Sequence, residues 1–106
     1  MLTRKLIFAA TLVLMFAVSV VQAGGDSARG KELAQECGMC HGEDGKGNDE
    51  VPAITGLDEA YFIEQLMAFK SGGRTDEMEM MLMYTEDLSE QDMSDLAAYL
   101  STLESD

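Results

Sequence analysis

The segment Cys37-Gly38-Met39-Cys40-His41 dominates the interpretation of this 106-residue chain, because it brings together both cysteines and the only histidine. Residues at positions i, i+3 and i+4 lie on one face of a helix. A helical conformation would therefore direct both thiols and the imidazole toward the same neighbouring group. The spacing predicts that one group is bound here by three side chains.

The spacing C-x-x-C-H is the attachment signature of a c-type haem. It predicts one covalent haem c, with Cys37 and Cys40 forming thioethers at one porphyrin edge and His41 binding the iron. The alternatives for a C-x-x-C pair are a thiol–disulfide redox protein and half of a zinc site. A thioredoxin-like protein needs a βαβ context, which the sequence lacks. Two cysteines and one histidine do not complete a four-ligand zinc site.

The first 23 residues have the features of a secretory signal peptide. A basic start at Arg4 and Lys5 precedes an apolar run over residues 6–21, and small residues flank Gln22 before a cleavage site at Ala23. A retained membrane anchor is the alternative, but a 16-residue helix spans only about 24 Å of a hydrocarbon core of about 30 Å. We therefore expect export to the periplasm, no stable membrane insertion, and one mature domain over residues 24–106.

The mature chain is short and acidic. The signal peptide contains 2 of the 7 basic residues and none of the 20 acidic ones, so cleavage moves the formal charge from −13 to −15. This charge argues against nucleic-acid binding and favours partners with basic docking surfaces. A domain this small generally needs a disulfide, a metal or a buried cofactor to complete its core. A haem would meet that need.

Three segments of the mature chain show helical periodicity, and no segment alternates as a half-buried strand does. They are residues 26–37, 58–70 and 89–103. Asp26 or Ser27 is the expected N-cap of the first, and Ser89 with Asp92 resembles a capping box at the start of the last. Glycines and Asn48 predict a loop between His41 and residue 50. The sequence thus predicts an all-α fold with three main helices and long loops.

Residues 28–103 resemble the class I c-type cytochromes. The shared motifs follow the family's order and are C-x-x-C-H-G-x-x-G-x-G from Cys37, P-x-x-x-G-L from Pro52, F-K-x-G from Phe69 with Arg74, and L-S-x-x-D from Leu88 leading into L-A-A-Y. In particular, the chain is similar to short bacterial periplasmic monohaem cytochromes and to the cytochrome subunit of flavocytochrome c sulfide dehydrogenase. The resemblance implies a class I cytochrome c fold around one haem.

The same resemblance implies several contacts. The N- and C-terminal helices should cross, with Gly30 and Leu33 meeting residues 96 and 99. The carbonyl of Pro52 should accept a hydrogen bond from Nδ1 of His41, which orients the imidazole and raises its basicity. Arg74 either reaches a haem propionate or is a solvated loop charge.

An electron carrier needs a sixth iron ligand, and the only histidine is already used. Met39 lies inside the attachment motif, and Met67 and Met93 are expected on apolar helix faces. This leaves a cluster of four methionines between the second and third predicted helices: Met78, Met80, Met81 and Met83. In the family, the ligand lies seven residues before the leucine that precedes the last helix. Counting back from Leu88 selects Met81, with Met80 next. A methionine-rich copper(I) site is an alternative use of the cluster.

The resemblance therefore implies a one-electron carrier with a His41/Met81-ligated haem c, which is not itself an enzyme. A second possibility uses the same residues: the chain would be the haem subunit of a dehydrogenase that receives electrons from a flavoprotein. The site residues do not separate these two roles, since both require the same iron ligands.

Overall fold

The computed structural model describes residues 24–105, and the predicted signal peptide, residues 1–23, lies outside the described residues. Residues 24–105 form no strand and four helices: α1 (Ser27–His41), α2 (Glu59–Ser71), α3 (Met80–Thr85) and α4 (Glu90–Leu100). The predicted all-α fold with three main helices and long loops is confirmed. The short α3 lies where the sequence predicts only a connecting segment.

The helix ends follow local capping. The side chain of Asp26 accepts hydrogen bonds from the amides of Ala28 and Arg29, so Asp26 is the N-cap of α1. At the start of α4, the predicted capping box is present, with reciprocal bonds of 3.0 and 2.9 Å between Ser89 and Asp92. These contacts satisfy amides that have no partner within the helix.

Two helix ends differ from the prediction. α1 continues to His41 instead of ending near residue 37, and it stops at Gly42, whose φ of 88° is unfavourable for other residues. α4 ends at Leu100 instead of residue 103, because the amides of Thr102 and Leu103 bond to carbonyls three residues back in a tighter turn. The first difference matters for function, since it places the whole C-x-x-C-H motif on one helix.

α4 is the central element of the fold. It packs against α1 and against α2, and α2 in turn packs against α3. The buried core consists of apolar residues of α2 and α4: Phe62, Leu66, Met93, Leu96, Ala97 and Leu100. Met93 lies in this core as expected, whereas Met67 faces outward and is 44% exposed, because the core-facing side of α2 is occupied by its larger aromatic and leucine residues.

α1 and α4 cross at close range. A Cβ atom on Gly30 would lie 1.9 Å from the carbonyl oxygen of Asp95 and 3.0 Å from Cβ of Tyr99, so only glycine allows this approach. Leu33, one turn further along α1, packs against the core that contains Leu96. The helix crossing therefore uses the residues that the family resemblance implied.

The carboxylate of Asp95 joins the two helices. It is 1% exposed and accepts hydrogen bonds from the amide of Asp26 (2.7 Å), from Arg29 (2.6 Å) and from Gln91 (2.9 Å). Burial disfavours the charged form, but the bonds from Arg29, Asp26 and Gln91 outweigh burial and hold the pKa of Asp95 below its usual range. The pKa of Asp92 is lowered by the backbone amide of Ser89 and by Arg29.

We predict that Asp95→Asn lowers the free energy of unfolding by about 1–3 kcal/mol at neutral pH, since hydrogen bonds to a charged acceptor are lost. A carboxyl whose pKa is lower in the folded state stabilises the fold above its unfolded pKa, and that contribution disappears as pH falls below about 4. The variant should therefore lose less stability than the parent on acidification. Urea unfolding of the holoprotein at several pH values measures both effects.

The matched control is Asp87→Asn, which removes the same charge from an exposed position. We expect it to leave the free energy of unfolding within about 0.5 kcal/mol of the parent. Equal behaviour of the two variants would contradict the role assigned to Asp95.

Candidate haem-binding site

The attachment motif occupies the C-terminal end of α1. Cys37 is half-buried and packs against the core, whereas Cys40 is exposed, and no disulfide joins the two. His41, the last residue of the helix, is buried. The helical path through His41 places the three side chains on consecutive turns, which is the arrangement that the spacing predicts.

His41 is oriented by the main chain. Its Nδ1 lies 2.7 Å from the carbonyl oxygen of Pro52. A carbonyl oxygen only accepts hydrogen bonds, so Nδ1 is the donor, and Nε2 is the ring nitrogen that this contact leaves for a metal. A neutral imidazole with an unprotonated Nε2 is the form that binds a metal.

Pro52 reaches His41 because the loop between them folds back tightly. The amide of Gly47 donates to the carbonyl of His41 at 2.7 Å, and the side chain of Asn48 accepts from the amides of Glu50 and Val51 at 2.8 and 2.9 Å. A Cβ on Gly47, whose φ is 68°, would lie 2.2 Å from the carbonyl oxygen of Val51 and 2.6 Å from the carbonyl carbon of Pro52. Gly47 is therefore required for the close approach.

The sequence predicts a loop over residues 41–50 but does not assign these roles within it. An asparagine side chain often accepts a hydrogen bond from a backbone amide two residues later, which forms an Asx turn. The presence of Asn48 in this loop was therefore a local signal for such a turn. The contact between Gly47 and the Val51–Pro52 peptide had no such signal, because it depends on how the whole loop closes.

Met81 is the member of the methionine cluster that packs against the core. It is half-buried in the first turn of α3 and contacts the same core cluster as Cys37. Met78 and Met83 are 78% and 64% exposed, and Met80 is half-buried without being part of that packing. The assignment of Met81 as the iron ligand stays a prediction.

The donor set and its placement fit a covalently attached haem. Two cysteine sulfurs, a histidine imidazole and a methionine thioether are the groups that hold a haem c. The helices that carry them, α1 and α3, do not touch each other, although both border the core formed by α2 and α4. Cys37 and Met81 thus pack against the same core from different elements.

Arg74 contacts two residues of α2, and the propionate contact implied by the resemblance stays a prediction. Its guanidinium carbon lies 4.6 Å from the centre of the Phe69 ring, and the same group donates a 2.7 Å hydrogen bond to Gln65. A cation over an aromatic face is attracted by the ring's quadrupole. Arg74 therefore covers the C-terminal end of α2.

The cysteine environment does not favour a thiol–disulfide site. Burial raises the pKa of the Cys37 thiol, which reduces the thiolate fraction that such chemistry needs. In addition, the pair lies near the C-terminus of α1, where the helix dipole disfavours negative charge.

Comparison with protein families decides the relationship. The family model described as "Cytochrome c" matches residues 27–104. The chain belongs to the cytochrome c family. It is a c-type cytochrome with the class I fold, and its cofactor is haem c.

Two relatives illustrate the range of similarity. Cytochrome c4 of Pseudomonas aeruginosa is 39% identical over 84 residues, which is 78% of this chain and 41% of that protein. Cytochrome c-554(548) of Halomonas halodenitrificans is 34% identical over 82 residues, covering 76% of this chain and 99% of that protein. The cytochrome thus spans less than half of the c4 sequence and nearly the full length of c-554(548).

Two solved structures have a fold similar to that of this chain. Reduced recombinant cytochrome c4 from Pseudomonas stutzeri matches with a TM-score of 0.69 and 28% identity over 76% of this chain and 52% of that chain. Thiosulfate dehydrogenase from Marichromatium purpuratum matches with a TM-score of 0.71 and 30% identity over 77% of this chain and 20% of that chain.

We predict that Gly47→Ala weakens the support of His41. A left-handed φ costs alanine about 1–2 kcal/mol, and the clash with the Val51–Pro52 peptide adds about 1–3 kcal/mol. Urea unfolding of the holoprotein should show the summed loss. Faster solvent exchange of the His41 Nδ1 proton, measured by NMR in the ferrous protein, should show the local effect.

Gly72→Ala is the matched control, because Gly72 has a φ of 81° and a Cβ atom added there would meet nothing within 4 Å. We expect this variant to show only the backbone cost and no change in Nδ1 exchange. Equal losses in the two variants would show that the approach to Pro52 does not require glycine.

Proposed function

We propose that residues 24–106 form an exported monohaem one-electron carrier, made after removal of a signal peptide at residues 1–23. The observation that carries the proposal is the 2.7 Å contact between Nδ1 of His41 and the Pro52 carbonyl, in a chain of the cytochrome c family. This contact orients the imidazole that would bind the iron. Met81, on the core that Cys37 also borders, supplies the other.

Haem c, when bound, supplies the one-electron couple between ferrous and ferric iron. Cys37 and Cys40 would hold it covalently, and Nε2 of His41 would bind the iron while Nδ1 stays bonded to the Pro52 carbonyl. The thioether of Met81 raises the reduction potential relative to a second histidine. With His41 and Met81 as its two protein ligands, the iron would exchange electrons without binding a substrate.

The acidic surface acts mainly on association. A carboxylate about 10 Å from the iron across water changes its energy by only about 0.4 kcal/mol, so the axial ligands dominate the potential. In contrast, exposed carboxylates beside the attachment segment attract an oppositely charged partner: Glu43, Asp44, Asp49 and Glu50. We infer a redox partner with a basic docking surface, in the periplasm.

A flavoprotein with such a surface satisfies this requirement. The sequence motifs resemble those of the cytochrome subunit of flavocytochrome c sulfide dehydrogenase. We therefore propose a flavoprotein as one candidate partner. Free carrier and haem subunit share every residue of the site, so the identity of the partner, not the haem pocket, separates them.

The ligand assignment is tested by Met81→Ala. We predict that the ferric holoprotein loses the methionine–iron charge-transfer band at the red end of the visible spectrum, because its thioether is removed. Met83→Ala, at an exposed position two residues later, is the matched control and should keep the band. If the band survives in Met81→Ala and disappears in Met80→Ala, Met80 is the ligand.

The electrostatic proposal is tested with small redox reagents of opposite charge. We predict that the rate of electron exchange with cationic hexaammineruthenium falls as ionic strength rises, because salt screens the attraction over about 8–10 Å. The rate with anionic ferricyanide should rise over the same range. Stopped-flow measurements give both rates, and a lack of salt dependence with both reagents would remove electrostatic steering.

A further inference from the structure

The backbone of Met81 is held by side chains on both sides. The carboxylate of Asp76 accepts hydrogen bonds from the amides of Met80 and Met81, each at 3.3 Å. The hydroxyl of Thr85 donates to the carbonyl of Met81 at 2.7 Å and also lies 3.3 Å from the carbonyl of Leu82. Both peptide groups of Met81 are therefore tied to other parts of the segment.

These ties are needed because α3 has little stability of its own. It contains six residues, too few for a helix that is stable in isolation. Its N-cap, Glu79, has a left-handed φ of 53° and makes no capping bond with its side chain. Asp76 performs that function instead, and thus holds the first turn, in which Met81 lies.

Thr85 connects this short helix to the interior. It is 1% exposed, so its hydroxyl must find a partner within the protein, and the Met81 carbonyl provides one. The carbonyl of Thr85 accepts a 3.0 Å bond from the amide of Leu88, which packs against the core. Met81 is thereby linked through Thr85 and Leu88 to the residues that border α4.

We propose that Asp76 and Thr85 are positioning residues for the sixth iron ligand. The inference rests on the proposed function, in which Met81 is that ligand. A soft thioether binds ferric iron weakly, so the bond persists only while the backbone keeps the sulfur in place. Asp76 and Thr85 supply that restraint without touching the iron, and they set how readily an external ligand replaces Met81.

The test measures imidazole binding to the ferric holoprotein, because imidazole competes with the thioether for the iron. Loss of the methionine–iron charge-transfer band gives the apparent affinity. Since one lost hydrogen bond commonly changes an equilibrium by a factor of about three to ten, Thr85→Val and Asp76→Ala should each bind imidazole about three- to tenfold more tightly. Thr85→Ser, which keeps the hydroxyl, should restore the parent affinity.

Asp58→Ala is the matched control. Asp58 caps α2 through a 3.2 Å bond from the amide of Tyr61, so its removal changes the same charge and weakens the cap of α2 instead of that of α3. It should lower stability and leave imidazole affinity unchanged. Urea unfolding of each variant, followed by circular dichroism, separates global stability from local release of the ligand.

The outcomes are distinct. Tighter imidazole binding in Thr85→Val or Asp76→Ala, absent from Thr85→Ser and Asp58→Ala, supports the positioning role. Lower global stability with unchanged imidazole affinity overturns it, since the two residues would then be structural only. If Thr85→Val does not fold, Asp76→Ala decides by the same criterion. Failure of the Met81 assignment is seen separately, as survival of the charge-transfer band in Met81→Ala.

Discussion

The close crossing of α1 and α4 fixes the position of the attachment motif relative to the core. Because Gly30 has no side chain, the two helices approach until the backbone of α4 lies against α1, and the buried carboxylate of Asp95 then accepts three hydrogen bonds across and along the contact. α1 ends in the attachment motif, and α4 supplies four of the six core residues. α2 packs on α4, and α3 packs on α2. A change in this crossing would move the cysteines relative to the methionine segment.

The two proposed axial ligands are supported in different ways. His41 is buried, ends a fifteen-residue helix and bonds to a main-chain carbonyl that the glycine loop brings to it. Met81 lies in a six-residue helix whose ends depend on side-chain bonds from Asp76 and Thr85. The histidine side is thus built into the backbone, whereas the methionine side depends on a few side-chain contacts. Exchange of ligands should begin at the methionine.

The acidic surface and the haem pocket have separate tasks. In the proposed function, the exposed carboxylates beside the attachment loop influence which partner surfaces approach, because water and salt would weaken their effect on the iron. The relation to cytochrome c4, of which the chain matches less than half, and to cytochrome c-554(548), which it matches along nearly its full length, shows the same haem domain in proteins of different size.

Local patterns determined much of this protein. The C-x-x-C-H spacing, the Ser89–Asp92 capping box, the three main helices and the position of Met81 relative to Leu88 all depend on residues within about ten positions of each other, where spacing alone fixes geometry. Only the tertiary structure decided that α1 extends through His41, that Gly47 admits the Pro52 peptide, and that Met67 faces outward. It also decided that the Asp95 carboxylate is buried against an amide 69 residues away. Such a contact forms only in the folded chain, because folding brings the two groups together and removes water from around them. The spacing of residues along the sequence does not predict it.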